Sequence, residues 1–180
     1  KCTSRTVIPS ASNNVPVREH ERFTPKLIHT PGEKNVLDFG QNIAGYVSFR
    51  VQAKQGQKIT LTHGEMLDRQ GELTPRNIQC SSKKITTPLQ KIEYTCKEGL
   101  NEYKPRFCIF GFQYVQGDGD IEAKPEDFEA IAVYSDMEDT LTFDSSNALL
   151  NRFVSCTRWS TKNNSADLPT DCPTRERHGW

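Results

Sequence analysis

Apolar and polar residues alternate along segment 46–53, and this alternation limits the possible folds of the chain more than any other feature. The apolar positions are Val47, Phe49, Val51 and Ala53, and the residues between them are Tyr46, Ser48, Arg50 and Gln52. Successive side chains of a strand point to opposite faces of a sheet. A period of two therefore predicts a β-strand with one buried face.

The same period recurs in short segments up to residue 134, with turn residues between them. The strand positions are Ile59, Leu61 and His63; Ile92, Tyr94 and Cys96; Phe110, Phe112 and Tyr114; and 128–134. The turn positions are Gly56, 69–72, Gly99 and 117–119. Many short strands joined by turns are typical of an antiparallel sandwich or jelly roll. The sequence thus predicts a mainly β fold, a sandwich over about 35–135 with Val47, Phe49, Val51, Phe110 and Phe112 in its core.

A different pattern begins after Asp139 and predicts a helix near 145–162. Asp144, Ser145 and Ser146 offer N-cap oxygens. The apolar stripe at helical spacing consists of Leu149, Leu150, Phe153, Val154 and Thr157. One amphipathic helix cannot bury its own stripe, so we expect it to dock on the sandwich or on a neighbouring molecule, which leaves a homo-oligomer open.

These patterns divide the chain into three parts. Residues 1–34 contain four prolines and predict an extended lead-in that supplies part of the first strand of the sandwich. Residues 35–136 form the sandwich, and 137–180 begin a helical domain.

Charge and cysteine content exclude several classes of partner. The 23 basic and 23 acidic residues balance, so no global field favours nucleic acid, and no apolar stretch reaches the roughly 20 residues of a membrane span. The six cysteines form no C-x-x-C pair, so we expect buried free thiols and neither a bound metal nor a cofactor. His63 is interpreted as a structural residue at a strand end. The compartment stays open, with the cytoplasm favoured over secretion.

The segment DCPTRERHGW, residues 171–180, concentrates groups that suit a sugar site. It holds the carboxylates Asp171 and Glu176, the arginines Arg175 and Arg177, and Trp180. Carboxylates can give or take the proton at a glycosidic oxygen, arginine can fix hydroxyls, and tryptophan offers an apolar plate. The alternative interpretation is a charged, solvated turn.

Four segments together resemble the bacterial α-L-rhamnosidases of glycoside hydrolase family 78. They are DFGQNIAGYVSFRV (38–51), HGEMLDRQGEL (63–73), YKPRFCIFGFQYV (103–115) and DCPTRERHGW (171–180), in the order of the family. The resemblance covers about 15–180. It implies a concanavalin-like sandwich over about 15–136, followed by an (α/α)6 catalytic barrel of which this chain carries only the opening.

The resemblance also implies roles for four residues of the last motif. Glu176 matches the general acid of the family, and Asp171, Arg175 and Trp180 match positions that line its rhamnose pocket. Inversion needs a second carboxylate that activates water, and the resemblance implies that it lies in a later part of the barrel. The chain alone is therefore expected to be inactive.

The environment of Glu176 poses a physical difficulty for a general acid. Such an acid must be protonated near the working pH, whereas Arg175 and Arg177 favour its carboxylate form. Burial beside Trp180 and the carboxylates of a complete barrel would raise its pKa. In the chain alone we expect an ionised surface acid.

Two hypotheses follow from the sequence. The first is part of an inverting exo-glycosidase that removes terminal α-L-rhamnose from rhamnose-containing glycosides or polysaccharides. The second is a non-catalytic carbohydrate-binding or structural sandwich, since jelly rolls also serve lectins. A binding module has no need of the 171–180 motif, which favours the first.

Overall fold

A computed structural model of the protein describes residues 10–11, 15–78, 90–119 and 124–174. These residues form an antiparallel β fold with one α-helix, as the alternation predicts. The strands are β1 (Val17–Phe23), β2 (Lys26–His29), β3 (Asn35–Ala53), β4 (Lys58–Gly64), β5 (Met66–Leu67), β6 (Leu73–Thr74), β7 (Lys91–Thr95), β8 (Gly99–Tyr103), β9 (Phe110–Gly119), β10 (Phe128–Ser135), β11 (Ser165–Ala166) and β12 (Leu168–Pro169). A 3-10 helix covers Pro125–Asp127, and α1 covers Ala148–Asn163.

The long strand β3 organises the sheet because different strands pair with its two halves. Its first half pairs with β2 and β9, and its second half pairs with β10 and β8. The sheet continues from β9 through β4 to β7 on one branch and from β10 to β1 on the other. Residues 17–29 of the predicted lead-in supply β1 and β2, which pair with β10 and β3.

The two branches of the sheet face each other across a hydrophobic core. Phe49 of β3 lies 5.2 Å, centroid to centroid, from the ring of Tyr94 in β7. The path of paired strands between them runs through β9 and β4, and at about 4.8 Å per strand a flat sheet would hold them much farther apart. The sheet therefore folds into a sandwich. The five predicted core residues, Val47, Phe49, Val51, Phe110 and Phe112, are all buried, which confirms that prediction.

Strand β3 passes from one branch to the other at Gly45. This residue pairs with Ala132 of β10 on one side and with Phe110 of β9 on the other. A Cβ atom at Gly45 would lie 1.9 Å from the carbonyl oxygen of Ile131. Only glycine lets the strands approach this closely.

The predicted turn at 117–119 is wrong, because these residues end strand β9. Gly117 pairs with Asn35 of β3 and with Leu61 of β4. The Gly-Asp-Gly sequence is typical of turns, but β4 pairs with all three residues and β3 also pairs with Gly117, so tertiary context overrides the local preference. The turns at Gly56 and Gly71 are confirmed, with φ of +88° and +85°.

Helix α1 differs from its prediction in its cap and in the face that it buries. Asn147, rather than Asp144, Ser145 or Ser146, is the N-cap, and its side chain accepts hydrogen bonds from the backbone N–H groups of Leu149 and Leu150. Leu149 is 80% exposed and Phe153 is 66% exposed. The helix meets the sandwich near its C-terminal end, where Trp159 packs against Phe23, so the stripe does not dock on the sandwich. Self-association through it stays a prediction.

The cysteines only partly follow the expectation of buried thiols. Among the described residues Cys96 and Cys156 are free thiols, and Cys108 and Cys172 are half-buried. Cys96 is buried, but Cys156 is exposed because it lies on the solvent side of α1. Cys2 and Cys80 lie outside the described residues. In the described ranges, no helix has the length and apolar character that crossing a bilayer requires.

Replacing Gly45 with alanine should destabilise the sandwich, because the new Cβ would collide with the backbone of β10. We expect the free energy of unfolding to fall by about 2–4 kcal/mol, measured by urea denaturation. Gly117→Ala is the matched control, since a Cβ there meets nothing within 4 Å. Equal stability of the two variants would contradict the crossing at Gly45.

Candidate active site

The structure describes only the first part of the 171–180 motif. Asp171 follows the β11–β12 hairpin and is exposed. Arg175, Glu176 and Trp180 lie outside the described residues, so their placement around Asp171 stays a prediction. The described part of the candidate site is therefore segment 163–174, which leads into the motif and is held by the sandwich.

Asn163, the last residue of α1, anchors the start of this segment on strand β3. Its Oδ1 accepts a hydrogen bond from the backbone N–H of Ala44 at 2.9 Å, and its Nδ2 donates to the carbonyl of Asn42 at 2.9 Å. Strands β2 and β10 pair with β3 only at 35–38 and 45–49. The side-chain amide of Asn163 thus occupies the gap between them and satisfies backbone groups that no strand reaches.

The β11–β12 hairpin carries the chain from α1 back over the sandwich. The backbone N–H of Asp167 donates to Ser135 Oγ at 2.8 Å, at the end of β10. The N–H of Thr170 donates to the carbonyl of Asn164 at 2.8 Å and closes the hairpin. The turn of the hairpin is thus held to the sandwich, and its open end is closed, before the chain reaches Asp171.

Pro173 and Thr174 then pack directly against Gly111 in strand β9. A Cβ at Gly111 would lie 2.5 Å from Thr174 Cγ2 and 2.9 Å from Pro173 Cγ. Thr174 is only 7% exposed. Because Gly111 has no side chain, the beginning of the motif occupies the space that a Cβ atom would fill. This contact joins two of the segments that carry the family resemblance.

Gln90 holds the backbone of Gly111 from the side. Its Nε2 donates to the Gly111 carbonyl and its Oε1 accepts from the Gly111 N–H, both at 2.8 Å. Strand β3 pairs with Gly111 through Ala44, whereas β4 pairs with β9 only from Tyr114 onwards. The carboxamide of Gln90 thus takes the place of a neighbouring strand, and Gln90 itself is 3% exposed.

His63 in turn holds Gln90, which confirms its structural interpretation. The carbonyl of Gln90 accepts from the backbone N–H of His63 at 2.8 Å and lies 3.1 Å from its Nδ1. Because a carbonyl only accepts, Nδ1 carries the proton, and Nε2 has no hydrogen-bond partner among the described residues. The ring lies against Phe110 and Phe112, and burial lowers the pKa of His63 to about 4.

The depressed pKa of His63 makes stability depend on pH. Folded His63 takes up a proton near pH 4, whereas the unfolded residue does so near 6.5. The unfolded state therefore binds more protons in this window, and the free energy of unfolding should fall as the pH drops from 6.5 towards 4. We expect a loss of about 2 kcal/mol between pH 7 and pH 5, measured by urea denaturation.

Substitution shows whether His63 causes this slope. His63→Gln should flatten the dependence between pH 7 and pH 5, whereas the exposed His29→Asn control should retain it. The carboxylates of Glu19 and Glu21 have pKa values below 4.5 and act at lower pH. An unchanged slope in His63→Gln would contradict the assignment.

Lys162 ties the end of α1 to the edge of the sandwich. Its ammonium donates to Glu21 Oε1 at 2.7 Å, and the Tyr134 hydroxyl donates to the same carboxylate. The ammonium also lies 4.8 Å from the ring centroid of Trp159. Burial acts to raise the pKa of Glu21, but the hydrogen bonds from Lys162 and Tyr134 outweigh it and hold the pKa below its ordinary value. This partly buried ion pair fixes the helix from which segment 163–174 departs.

A cavity of about 530 Å³ lies between α1 and the segment 136–141. Its walls include His20, Tyr134, Lys162 and the apolar side chains of Leu141 and Phe153. None of the described motif residues 171–174 lines it. In the described ranges, no group of three or more His, Cys, Asp or Glu side chains is placed to hold a metal ion.

Of the residues that support the site, only Gly111 carries a signal that sequence reasoning can use. A glycine inside a strand, such as Gly111 in FGFQYV, marks a close approach by another part of the chain. No pattern marks Gln90 and Asn163, because each bonds backbone groups far away in sequence. The carboxylate of Asp38 accepts a hydrogen bond from the backbone N–H of Gly40 at 2.8 Å, a local contact that aspartate commonly makes with its own backbone.

Two family models match the chain one after the other. Residues 28–134 match the bacterial alpha-L-rhamnosidase concanavalin-like domain, and residues 138–180 match the bacterial alpha-L-rhamnosidase 6 hairpin glycosidase domain. A concanavalin-like sandwich followed by glycosidase-domain sequence thus defines the class of protein. The chain belongs to the bacterial alpha-L-rhamnosidase family, as the resemblance in its sequence predicts.

Individual relatives show the same similarity in sequence and in structure. An alpha-L-rhamnosidase of Formosa agariphila is 33% identical over 149 residues, which cover 81% of this chain and 15% of that protein. The Streptomyces avermitilis alpha-L-rhamnosidase, in its structure complexed with L-rhamnose, is 29% identical in sequence to this chain. The two structures match with a TM-score of 0.85 over 94% of this chain and 16% of that one.

A fungal structure extends the comparison. The native alpha-L-rhamnosidase of Aspergillus terreus is 37% identical, with a TM-score of 0.79 over 92% of this chain and 19% of that one. The chain therefore spans between 15% and 19% of the lengths of these three proteins.

Proposed function

We propose that this chain forms the sandwich domain and the beginning of the catalytic domain of an inverting exo-α-L-rhamnosidase. The observation that carries the proposal is the match of residues 138–180, which include the whole 171–180 motif, to the six-hairpin glycosidase domain. The same match favours a glycosidase over a non-catalytic carbohydrate-binding module. The substrates are glycosides or polysaccharides with terminal α-L-rhamnose, in keeping with the bound L-rhamnose in the Streptomyces avermitilis structure.

The proposal keeps the domain division made from the sequence. Residues 1–34 are a lead-in that supplies the first strands of the sandwich, 35–136 form the rest of it, and 137–180 open the six-hairpin domain. In this arrangement the sandwich supports the site without supplying its acid, because the segment that leads to Glu176 rests on Gly111.

Glu176 acts as general acid in the proposed reaction and protonates the departing glycosidic oxygen. Asp171, Arg175 and Trp180 line the rhamnose pocket, where Asp171 binds sugar hydroxyls and Trp180 offers an apolar surface. Inversion places a second carboxylate on the opposite face of the sugar, roughly 6.5–9.5 Å away, with the attacking water between the two. We assign that general base to no residue of this chain.

The 180-residue chain alone should not hydrolyse an aryl α-L-rhamnoside, because it supplies an acid without a base. The protein in which this chain continues into the rest of the six-hairpin domain should hydrolyse it. There, Glu176→Gln keeps the size of the side chain but removes its transferable proton. We expect kcat to fall by about 10²–10⁴-fold, measured by release of the aglycone.

Leaving-group dependence separates acid catalysis from a loss of structure. An aglycone of low pKa departs with little protonation, so Glu176→Gln should cost less kcat on an activated substrate than on an unactivated one. Glu126→Gln, at an exposed carboxylate in the 3-10 helix, is the matched control and should keep full activity. Full activity of Glu176→Gln, or equal losses on both substrates, would refute the assigned role.

A further inference from the structure

Gln90 connects the core of the sandwich with the segment that leads to Glu176. We propose that Gln90 is a positioning residue of the site, acting through Gly111 and Thr174 without touching the substrate. This inference rests on the proposed function and extends the active site into the sandwich domain. Three successive contacts link Gln90 to the motif.

The first contact fixes Gln90 itself. Gln90 is 3% exposed, and its carbonyl accepts hydrogen bonds from the backbone N–H and from Nδ1 of His63, at 2.8 and 3.1 Å. His63 lies near the end of β4, and its ring contacts the rings of Phe110 and Phe112. The backbone of Gln90 is therefore held to the rigid part of the sheet.

The second contact fixes the peptide groups of Gly111. The carboxamide of Gln90 donates to the carbonyl of Gly111 and accepts from its N–H, both at 2.8 Å. An apolar side chain of the same length would leave both backbone groups without these partners in a buried place, which is unfavourable. The backbone of β9 would shift to find new partners.

The third contact transmits such a shift to the motif. Thr174 Cγ2 and Pro173 Cγ pack against the Cα of Gly111 so closely that no Cβ fits between them. Close-packed interiors transmit displacements because they contain no free volume to absorb them. Only one residue separates Thr174 from Glu176 in the sequence. A displacement at Gly111 therefore moves the point from which the chain continues to the acid.

A general acid depends strongly on its position. It must reach hydrogen-bonding distance of the departing oxygen, and a misplacement of about 1 Å can cost about 10²-fold in rate. This cost falls on substrates whose leaving group needs protonation. A variant that merely lowers the folded fraction reduces the rate on every substrate by the same factor.

Gln90→Met tests the inference, because methionine keeps the length of the side chain and removes both hydrogen bonds. It is made in the protein that carries this chain with the remaining six-hairpin domain, beside Gln52→Met at an exposed position of β3 as the matched control. We expect kcat to fall about 10–100-fold on a phenyl α-L-rhamnoside and by less than about threefold on a dinitrophenyl one. KM should change little, and Gln52→Met should match the wild type.

Hydrogen exchange supplies a readout that does not need activity. In Gln90→Met, the amides of Asp171, Cys172 and Thr174 should exchange faster, while those of β3 keep their protection. If Gln90→Met does not fold, Gln90→Asn replaces it, because it keeps the amide but shortens its reach. Equal kcat losses on both substrates, or unchanged exchange at Asp171, Cys172 and Thr174, would overturn the positioning role. Should the wild type cleave neither rhamnoside, the proposed function fails, and the exchange result alone decides whether Gln90 orders the segment.

Discussion

The packing of Pro173 and Thr174 on the bare backbone of Gly111 is the contact on which the rest of this structure depends. Here the chain returns from the helix to the sandwich, and the charged motif begins. The contact requires a glycine at that point of the strand and a partner that bonds the backbone of the strand. Gln90 is that partner, because its carboxamide makes the two hydrogen bonds that a neighbouring strand would make. The buried peptide groups of Gly111 therefore matter both for the fold and for the proposed function.

A second side-chain amide bonds strand backbone in place of a neighbouring strand. Asn163 bonds the backbone of Asn42 and Ala44 where β3 lacks a neighbour, as Gln90 does for Gly111. Both amides act where the sheet has to leave an opening for segment 163–174. Gly45 allows β3 to cross between the two branches beside this opening. The sandwich thus provides a shaped platform on which the beginning of the six-hairpin domain rests.

Local periodicity explains why the sandwich and its core could be predicted from the sequence. Alternating residues such as Val47 and Phe49 must bury one face, whatever their partners are. Features that depend on distant partners could not be predicted in this way: Gly117 reads as a turn until two strands pair with it, and the outer face of α1 resembles a buried stripe. Of the four predicted site residues only Asp171 lies in the described part of the chain, and the roles of Arg175, Glu176 and Trp180 come from family resemblance.

A double-mutant cycle between Gly111 and Thr174 tests the central contact most directly. Gly111→Ala introduces the Cβ that would meet Thr174 Cγ2 at 2.5 Å, and Thr174→Ser removes that methyl group while keeping the hydroxyl. Urea denaturation gives the free energy of unfolding of the two single variants and of the double variant. If the contact exists as described, Thr174→Ser rescues part of the loss caused by Gly111→Ala, with a coupling energy of at least about 1 kcal/mol. Additive losses in the double variant would contradict it.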